Sequence, residues 1–436
     1  MADFARSADP AVQRQLDRLG SPIYALDVLG LERILDLLDR LGRPQERLPP
    51  VFHVAGTNGK GSTCAFLRAA LEAAGHRVHV FTSPHLVRFN ERIRIAGELI
   101  EDSQLAALLK EVLDAGDGIE ASFFEVATAA ALLAFARTPA DAVILEVGLG
   151  GRLDATNVVD RPLVTAIASL GLDHQAWLGD RLTDIAAEKA GIARRGVPLV
   201  TQSYPAGIAE RIAEVAASAG ALLVPRGGSW VIQSAGDRLH YRDAKGELVL
   251  PLPSLAGEHQ LLNAGLAIAM LRHQSLLAIC PDSFAQAMSS TDWPARLQRL
   301  ASGALIERLP HGSELWIDGG HNPSAAANVA AYARASWSNG LPLTLVFASL
   351  KSKDAAAILA PFEGIAAAVR TVPIPGHDSH DPETLAGLAR ELDFAATAHR
   401  DLDEALAANT PPTRVLIFGS LYLAGVALEL DGSQPD

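Results

Sequence analysis

The sequence predicts an α/β protein that contains a mostly parallel sheet and, towards its C-terminal end, a smaller α/β domain. Short β-branched runs alternate with Ala- and Leu-rich helical patterns through most of the 436 residues. One stretch of alternating polar and apolar residues interrupts that order, which resumes after a proline-containing segment. Alternation of strands and helices favours parallel strand pairing, with helices on both faces of the sheet.

The first part of the chain accounts for the large sheet. Strands are expected at short apolar runs, which cover residues 51–55, 78–82, 142–147, 163–168 and 197–201. Helices are expected at longer periodic runs, which cover residues 63–74, 102–115, 125–136 and 183–193. Because parallel strands end at the same edge of a sheet, polar residues that follow these strands are candidates for one common site.

A change of texture and a proline divide the rest of the chain. Residues 228–253 predict a small antiparallel insertion, and a helix is expected at 258–273. The segment T-D-W-P-A-R-L-Q-R, at 291–299, interrupts the pattern. We therefore predict a domain at 1–292, a linker at 293–300 and a Rossmann-like α/β domain at 301–436. Strands of this last domain are expected at 304–309, 314–318, 343–349, 369–374 and 415–419.

Composition and charge exclude several classes of protein. The chain is 49% hydrophobic and 20% charged, with a formal net charge of −13 and two cysteines. An acidic chain without a basic run is a poor binder of nucleic acid or anionic membranes. No apolar segment near the N-terminus resembles a secretion signal, and the run at 127–136 is too short to span a bilayer. We expect a cytoplasmic protein.

The sharpest motif is H-V-A-G-T-N-G-K-G-S-T, from His53 to Thr63, between a predicted strand and a predicted helix. Backbone N–H groups of such a loop converge on phosphate oxygens, and Lys60 adds a positive charge. Either Ser62 or Thr63 could reach Mg²⁺. The standard pattern has glycine where Val54 stands, so a plain glycine-rich turn is the alternative. The context favours phosphate binding and a sheet of the P-loop ATPase type.

Three other strand ends carry oxygen or nitrogen donors. Glu146 ends an apolar strand, Ser83 follows another in T-S-P-H, and His174 follows a third in L-D-H-Q. A set of few ligands completed by water suits Mg²⁺. Each residue also has an ordinary interpretation, as an acid bonded to a loop N–H, a turn residue or a loop histidine. The run G-L-G-G resembles part of a dinucleotide fingerprint, but no suitable helix pattern follows it.

Taken together, the ordered motifs resemble the bacterial bifunctional dihydrofolate synthase/folylpolyglutamate synthases of the Mur-ligase superfamily. The resemblance spans nearly the whole chain and is carried by A-G-T-N-G-K-G-S, S-P-H-L-V-R-F-N-E-R-I, E-V-G-L-G-G-R-L-D-A-T-N, E-K-A-G-I, H-Q-L-L-N-A, P-A-R-L-Q, D-G-G-H-N-P and G-S-L-Y-L-A-G. It implies an ATP-dependent ligase that adds L-glutamate to dihydropteroate and tetrahydrofolate through an acyl phosphate, and we expect a monomer with these small-molecule substrates.

The resemblance also implies roles for individual residues. Lys60, His174 and Lys189 would be catalytic, and Lys189 would be carbamylated. The nucleotide contacts would be Thr57, Asn58, Gly59, Lys60, Gly61, Ser62, Asn263, Arg296, Asp318 and His321. One or two Mg²⁺ ions would be bound by Ser83, Glu146, His174 and Lys189. The pterin substrate would contact Asp27, Val28, Leu29, Gly30, Ser122, Phe123, Phe124, Glu125, Leu153, Asp154 and Ala155.

Several of these residues have simpler interpretations. Lys189 reads as a solvated helix lysine, and Asp318 as the cap of a turn. Phe123 and Phe124 read equally as core residues. Asn263 reads as a capping or surface amide, and Arg296 could pair with a surface carboxylate. Gly320 departs from the alanine that the family often has. Rival functions are a peptidoglycan-precursor ligase and a nucleotide-dependent switch.

Overall fold

The computed structural model describes residues 5–19, 29–337, 340–433 and 435, which form two compact units. The first unit runs to Ser254 and resumes at Gln260–Asp292. The second comprises Leu255–His259 and the chain from Trp293 onwards. Within the described residues, none of the helices is long and apolar enough to cross a bilayer.

An eight-stranded sheet organises the first unit. Its strands are β1 (Val51–Ala55), β2 (Val78–Phe81), β3 (Ile93–Ile95), β4 (Glu98–Leu99), β5 (Ala142–Glu146), β6 (Val164–Ile167), β7 (Pro198–Thr201) and β8 (Leu222–Pro225). The order is β4-β3-β2-β5-β1-β6-β7-β8. The six strands from β2 to β8 pair in parallel, while β3 and β4 pair antiparallel at one edge. Every residue of β1, β2, β5 and β6 is buried, as expected when helices cover both faces.

Helices surround this sheet. They are α1 (Pro10–Leu19), α2 (Glu32–Arg40), α3 (Lys60–Ala73), α4 (Asp102–Ala115), α5 (Phe123–Arg137), α6 (Gln175–Leu178), α7 (Leu182–Ala190), α8 (Ala206–Ala219), α9 (Glu258–Arg272) and α10 (Pro281–Ser290). Helix α5 has the sequence FFEVATAAALLAFAR and is buried from Glu125 to Phe135. Its alanines keep the helix narrow, so it packs closely within the core.

The predicted antiparallel insertion is confirmed as a three-stranded sheet of β9 (Trp230–Ala235), β10 (Arg238–Asp243) and β11 (Gly246–Pro251). Leu239 and Tyr241 of β10 are buried, and their neighbours in the strand are more exposed. Arg272, at the end of α9, forms an ion pair of 2.5 Å with the buried Asp243 carboxylate. This ion pair attaches the insertion to the helix.

The second unit contains a six-stranded sheet. Its strands are β12 (Gln298–Leu300), β13 (Glu314–Ile317), β14 (Leu343–Phe347), β15 (Ala366–Thr371), β16 (Ala396–Ala398) and β17 (Arg414–Phe418), in the order β12-β13-β17-β14-β15-β16. All pairings are parallel except that of β12. The helices are α11 (Pro323–Ser336), α12 (Ala355–Leu359), α13 (Pro382–Glu391), α14 (Leu402–Ala407) and α15 (Leu421–Asp431). The predicted α/β class, with a large mostly parallel sheet and a smaller second sheet, is confirmed.

One predicted strand of this unit is wrong. Residues 304–309 contain a 3₁₀ turn, Ile306–Arg308, and the edge strand is Gln298–Leu300 instead. Leu305 and Leu309 flank the turn and are both buried. Short apolar runs do not distinguish a strand from a turn that buries its two ends, so the sequence pattern was ambiguous here.

Candidate functional site

The glycine-rich loop joins β1 to α3 at the centre of the large sheet. Gly59, with φ of +82°, precedes the first residue of α3, Lys60. The backbone N–H groups of Thr57 and Asn58 donate to Ser169 O, at 2.8 and 3.2 Å. Lys60 Nζ lies 3.4 Å from Thr57 O and is half-buried. The first amides of a helix lack intrahelical acceptors, so the loop offers N–H donors and one ammonium group to an anion.

Ser62 has a buried hydroxyl that fits a ligand. Its Oγ atom is buried and has no hydrogen-bond partner within the described part of the chain. By contrast, Thr63 Oγ1 donates to Gly59 O at 2.8 Å within the helix. A buried hydroxyl without a partner is unfavourable. Of the two hydroxyls that the sequence left open, Ser62 is therefore the one with a free bonding position for phosphate oxygen or Mg²⁺.

Gly59 is also held by close contact with α9. A β-carbon added at Gly59 would lie 2.3 Å from Asn263 Oδ1, and the Asn263 side chain is buried. Asn263 is therefore not a surface amide, because it packs directly against the phosphate loop.

We expect Gly59→Ala to reduce the affinity for ATP analogues by about 10-fold, because the loop or Asn263 must move. Gly75→Ala is the matched control, since Gly75 has φ of +85° but no atom within 4 Å of an added β-carbon. Both variants should lose about 1–2 kcal/mol of stability through backbone strain. Calorimetric titration with thermal melts checks this. Equal losses of affinity in the two variants would refute the packing argument.

Glu146 lies beside the loop at the end of β5. The register pairs Glu146 with Val54 of β1, and the carboxylate accepts a hydrogen bond of 3.1 Å from Ser83 N after β2. Glu146 is 4% exposed. Burial and the Glu146 carboxylate raise the pKa of the Cys64 thiol, whereas Lys60 lowers it, so both charges act at the first turns of α3. The structure thus brings Ser83, Glu146 and Lys60 to one edge of the sheet.

His174 follows β6, on the other side of β1. It adopts a left-handed conformation with φ of 52°, and its half-buried side chain is next to the buried Asp173. Asp173 Oδ1 accepts a hydrogen bond of 2.8 Å from His174 N. Within the described residues, no three His, Cys, Asp or Glu side chains are grouped closely enough to bind a metal ion unaided. A cation at this edge would need hydroxyl, phosphate or water oxygens as well, which is how Mg²⁺ is commonly held.

Lys189, in α7, is buried and is not a solvated helix lysine. Only 4% of the residue is exposed. Burial, followed by the Lys60 ammonium group, lowers the Lys189 pKa to about 7, while Asp173 and Asp154 oppose that shift. Lys189 therefore belongs to the same neighbourhood as the phosphate loop, and half of its amines are uncharged near neutral pH.

The predicted pterin contacts fall into three segments, one of which is incompletely described. Asp27 and Val28 lie outside the described residues, and Leu29 and Gly30 are half-buried. The second segment, Ser122–Glu125, lies at the start of α5. The third segment, Leu153–Ala155, follows the G-L-G-G turn.

The contacts at α5 already have structural partners. Ser122 and Glu125 form a capping box, in which Ser122 N donates to Glu125 Oε2 at 2.6 Å. Glu125 also pairs with Arg33 at 3.0 Å. The Phe123 ring packs edge-on against Phe89, with centroids 5.8 Å apart. Phe124 packs over Gly148, where a β-carbon would lie 2.5 Å from the ring. Both rings are half-buried, and the Arg92 guanidinium lies over the Phe123 ring, 5.3 Å from its centroid.

Asp154 organises the turn after β5. Its buried carboxylate accepts hydrogen bonds from Leu149 N at 2.8 Å and Thr156 N at 3.0 Å, and burial raises its pKa. The neighbouring Leu153 is half-buried and Ala155 is buried. No dinucleotide-type helix follows the G-L-G-G turn, because residues 151–163 form turns before β6.

In the second unit, Arg296, Asp318 and His321 meet around one loop after β13. Asp318 is buried, and its two oxygens accept hydrogen bonds from Leu297 N at 2.8 Å and Gly320 N at 2.7 Å. His321 Nδ1 lies 3.0 Å from Gly319 O, and Arg296 Nη1 donates to Ala295 O at 2.8 Å. Gly320 stands where alanine is often found in the family that the sequence resembles. A β-carbon at Gly320 would lie 2.7 Å from the Phe418 ring. Glycine at this position therefore leaves room for the Phe418 ring, which an alanine β-carbon would contact too closely.

Two residues of these neighbourhoods were not among the predicted site residues. Asp173 is buried and acts on the pKa of Lys189, and the only signal for it was its place before His174. Gln260 is 1% exposed and bonds to Asn263, and it stands inside the motif H-Q-L-L-N-A. The motifs could have suggested both residues as candidates. They could not show that these two matter more than their neighbours, because burial is decided by tertiary packing.

Comparisons with known proteins identify the family. The chain is 36% identical over 406 residues to the dihydrofolate synthase/folylpolyglutamate synthase of Escherichia coli, covering 92% of this chain and 91% of that protein. Escherichia coli FolC in complex with DHPP and ADP superposes with a TM-score of 0.86 at 34% identity, covering 97% and 98% of the two chains. A bifunctional folylpolyglutamate synthase/dihydrofolate synthase with Mn, AMPPNP and L-glutamate bound gives 0.84 at 32% identity, covering 98% and 99%. No protein-family model matches the chain. The identity, coverage and common fold together place the chain in the dihydrofolate synthase/folylpolyglutamate synthase family.

Proposed function

We propose that this chain is an ATP-dependent ligase that adds L-glutamate to dihydropteroate and to tetrahydrofolate. The observation that carries the proposal is the phosphate loop before α3, with the buried Glu146 carboxylate and the buried Lys189 beside it. Relatives with the same fold bind ADP with DHPP, and Mn, AMPPNP and L-glutamate. The proposal also includes that the chain has both synthase activities, that it acts in the cytoplasm and that it is a monomer.

The chemistry follows from the weakness of a carboxylate as an electrophile. A carboxylate oxygen of the pterin substrate attacks the γ-phosphorus of ATP, the bond to ADP breaks, and an acyl phosphate forms. The uncharged amine of glutamate then attacks the acyl carbon, phosphate leaves and the amine proton is lost to solvent. Thr57, Asn58, Gly59, Lys60, Gly61 and Ser62 would hold the triphosphate. Lys60 and the loop amides would neutralise charge that develops on the transferring phosphoryl group.

The proposed metal ligands are Ser83, Glu146, His174 and, once carbamylated, Lys189. The residues fit such an ion, since the buried Glu146 carboxylate at the end of β5 and the unpartnered Ser62 hydroxyl in the first turn of α3 both offer oxygen donors. Mg²⁺ bound there would supply positive charge to the phosphate oxygens.

We propose that Lys189 is carbamylated. An uncharged amine attacks the carbon of CO₂, forms an N–C bond and loses a proton, which turns a cation into a carboxylate on a long side chain. Because burial lowers the Lys189 pKa to about 7, the reactive form dominates above that pH, whereas an ordinary lysine stays protonated. Below about pH 7 most of the Lys189 amine is protonated, and the ammonium form cannot react with CO₂.

We therefore expect carbon-13 NMR with labelled bicarbonate at about pH 8 to show one carbamate signal that weakens as the pH falls through about 7. Lys189→Met should remove that signal, and Lys110→Met, at an exposed lysine of α4, should keep it. A signal of unchanged intensity in Lys189→Met, or no signal in the unaltered protein, would reject the modification.

The remaining assignments are parts of the same proposal. Residues 1–292 would form the ATP-binding domain with the folate site, residues 293–300 the linker, and residues 301–436 the glutamate-ligase domain. Asn263, Arg296, Asp318 and His321 would complete the nucleotide contacts. The pterin would contact Asp27–Gly30, Ser122–Glu125 and Leu153–Ala155, where the half-buried aromatic rings of Phe123 and Phe124 would be available for stacking.

A phosphate-release assay tests the function as a whole. Purified protein with MgATP is given dihydropteroate or tetrahydrofolate, each with and without L-glutamate, and a UDP-muramoyl substrate in parallel. The proposal requires release that depends on both the pterin and glutamate. Release with the UDP-muramoyl substrate would indicate a peptidoglycan ligase, and release independent of glutamate would indicate a nucleotide-dependent switch.

A further inference from the structure

Gln260 lies in the first turn of α9, three residues before Asn263, and has no role in the scheme above. Residues three apart on a helix share a face. Gln260 is 1% exposed and Asn263 is 4% exposed. Gln260 Oε1 accepts a hydrogen bond of 2.9 Å from Asn263 Nδ2. This bond sets the direction in which the Asn263 amide points.

The direction matters because Asn263 contacts the phosphate loop. A β-carbon on Gly59 would lie 2.3 Å from Asn263 Oδ1 and 3.2 Å from Nδ2, so the oxygen is the nearer atom. An asparagine amide has a donor end and an acceptor end of nearly the same shape. With Nδ2 engaged by Gln260, the amide presents its acceptor towards the loop.

Burial of Gln260 is unfavourable for stability. Its Nε2 atom is buried and has no hydrogen-bond partner within the described part of the chain. An apolar side chain would fill the same space without leaving an unpaired donor. A polar residue at this position is therefore better explained by its bond to Asn263 than by core packing.

We propose that Gln260 is a positioning residue for nucleotide binding, which holds the Asn263 amide with its oxygen towards the phosphate loop. This inference rests on the proposed function in one respect, that the ligand of the loop is a nucleoside triphosphate. Gln260 acts through Asn263 and need not touch the nucleotide itself.

The test compares Gln260→Met with Gln260→Glu. Methionine keeps the volume but cannot accept from Asn263 Nδ2, whereas a glutamate oxygen can. We expect Gln260→Met to weaken AMPPNP binding in the presence of Mg²⁺ by about 10-fold, and to raise the KM for ATP similarly. The KM for dihydropteroate should stay unchanged. Gln260→Glu should remain within about 2-fold of the unaltered protein, because burial favours the uncharged carboxyl form, whose carbonyl oxygen still accepts from Asn263 Nδ2.

Gln202 offers a matched control. It is also a buried glutamine bonded to α9, since its Nε2 donates to Leu262 O at 2.8 Å, but it does not bond to Asn263. Gln202→Met should lower the melting temperature without weakening AMPPNP binding. In the Asn263→Ala background, Gln260→Met should have no further effect on affinity, because its only route of action is gone.

Four results would overturn the inference: AMPPNP affinity unchanged in Gln260→Met, an equal loss in Gln202→Met, full additivity with Asn263→Ala, or Gln260→Glu as weak as Gln260→Met. Direct binding of AMPPNP separates this test from the proposed function. Unaltered protein that binds AMPPNP but never shows glutamate-dependent phosphate release would reject the ligase proposal alone. Failure to bind AMPPNP would reject both.

Discussion

Replacing Lys60 with alanine is expected to lower glutamate-dependent phosphate release by about 10³-fold while the fold persists. Lys60 is the first residue of α3 and lies at the N-terminal end of the helix, where the helix dipole disfavours a cation. Removing its charge should therefore not destabilise the helix. The lost charge is the one expected to stabilise the transferring phosphoryl group. Steady-state phosphate release together with a thermal melt measures both effects.

Lys60→Ala carries a second signature. Lys60 contributes to the low pKa of Lys189, so its removal should raise that pKa, and the carbamate signal should then appear only at higher pH. Lys110→Ala, at an exposed lysine of α4, is the control and should change neither the rate nor the carbamate signal. Substantial turnover in Lys60→Ala would contradict the assignment of the phosphate loop.

Replacing Glu146 with glutamine is expected to reduce turnover by about 10²- to 10³-fold and to raise the Mg²⁺ concentration needed for activity. The amide has the shape of the carboxylate, and its oxygen can still accept from Ser83 N, so the loops should keep their positions. What disappears is the negative charge at the end of β5. Titration of activity with Mg²⁺, with AMPPNP binding measured at each concentration, checks the result.

Glu98→Gln is the control for Glu146, because Glu98 is an exposed carboxylate on β4 of the same sheet. It should leave the Mg²⁺ requirement unchanged. An unaltered Mg²⁺ requirement in Glu146→Gln would show that the cation is held elsewhere, and the proposed metal ligands would then be wrong.

Much of the architecture was accessible from sequence because its signals are local. The bounds predicted for β1 and α4 agree with the structure, since both follow from the periodicity of their own residues. The strand predicted at 304–309 was wrong, because Leu305 and Leu309 are buried at the two ends of a turn. The roles of the candidate site residues stay predictions, although the strand order brings the ends of β2, β5, β1 and β6 side by side.

The state of individual side chains was decided only by tertiary packing. By its neighbours in sequence Lys189 is an ordinary helix lysine, yet burial in the folded chain lowers its pKa. Ser62 and Thr63 are equivalent in the motif, but only Thr63 uses its hydroxyl within the helix. Gln260 and Asn263 occur in one sequence motif, but only the structure shows that their side-chain amides are hydrogen-bonded to each other.

The sequence by itself determined the fold class, the phosphate loop and the family, because motifs and hydrophobic periodicity are properties of neighbouring residues. The tertiary structure decided which groups are buried, which hydrogen bonds they make and which charges act on them. Desolvation and hydrogen bonding depend on residues far apart in the chain, such as Gly59 with Asn263 and Ser83 with Glu146, and no local pattern encodes those distances.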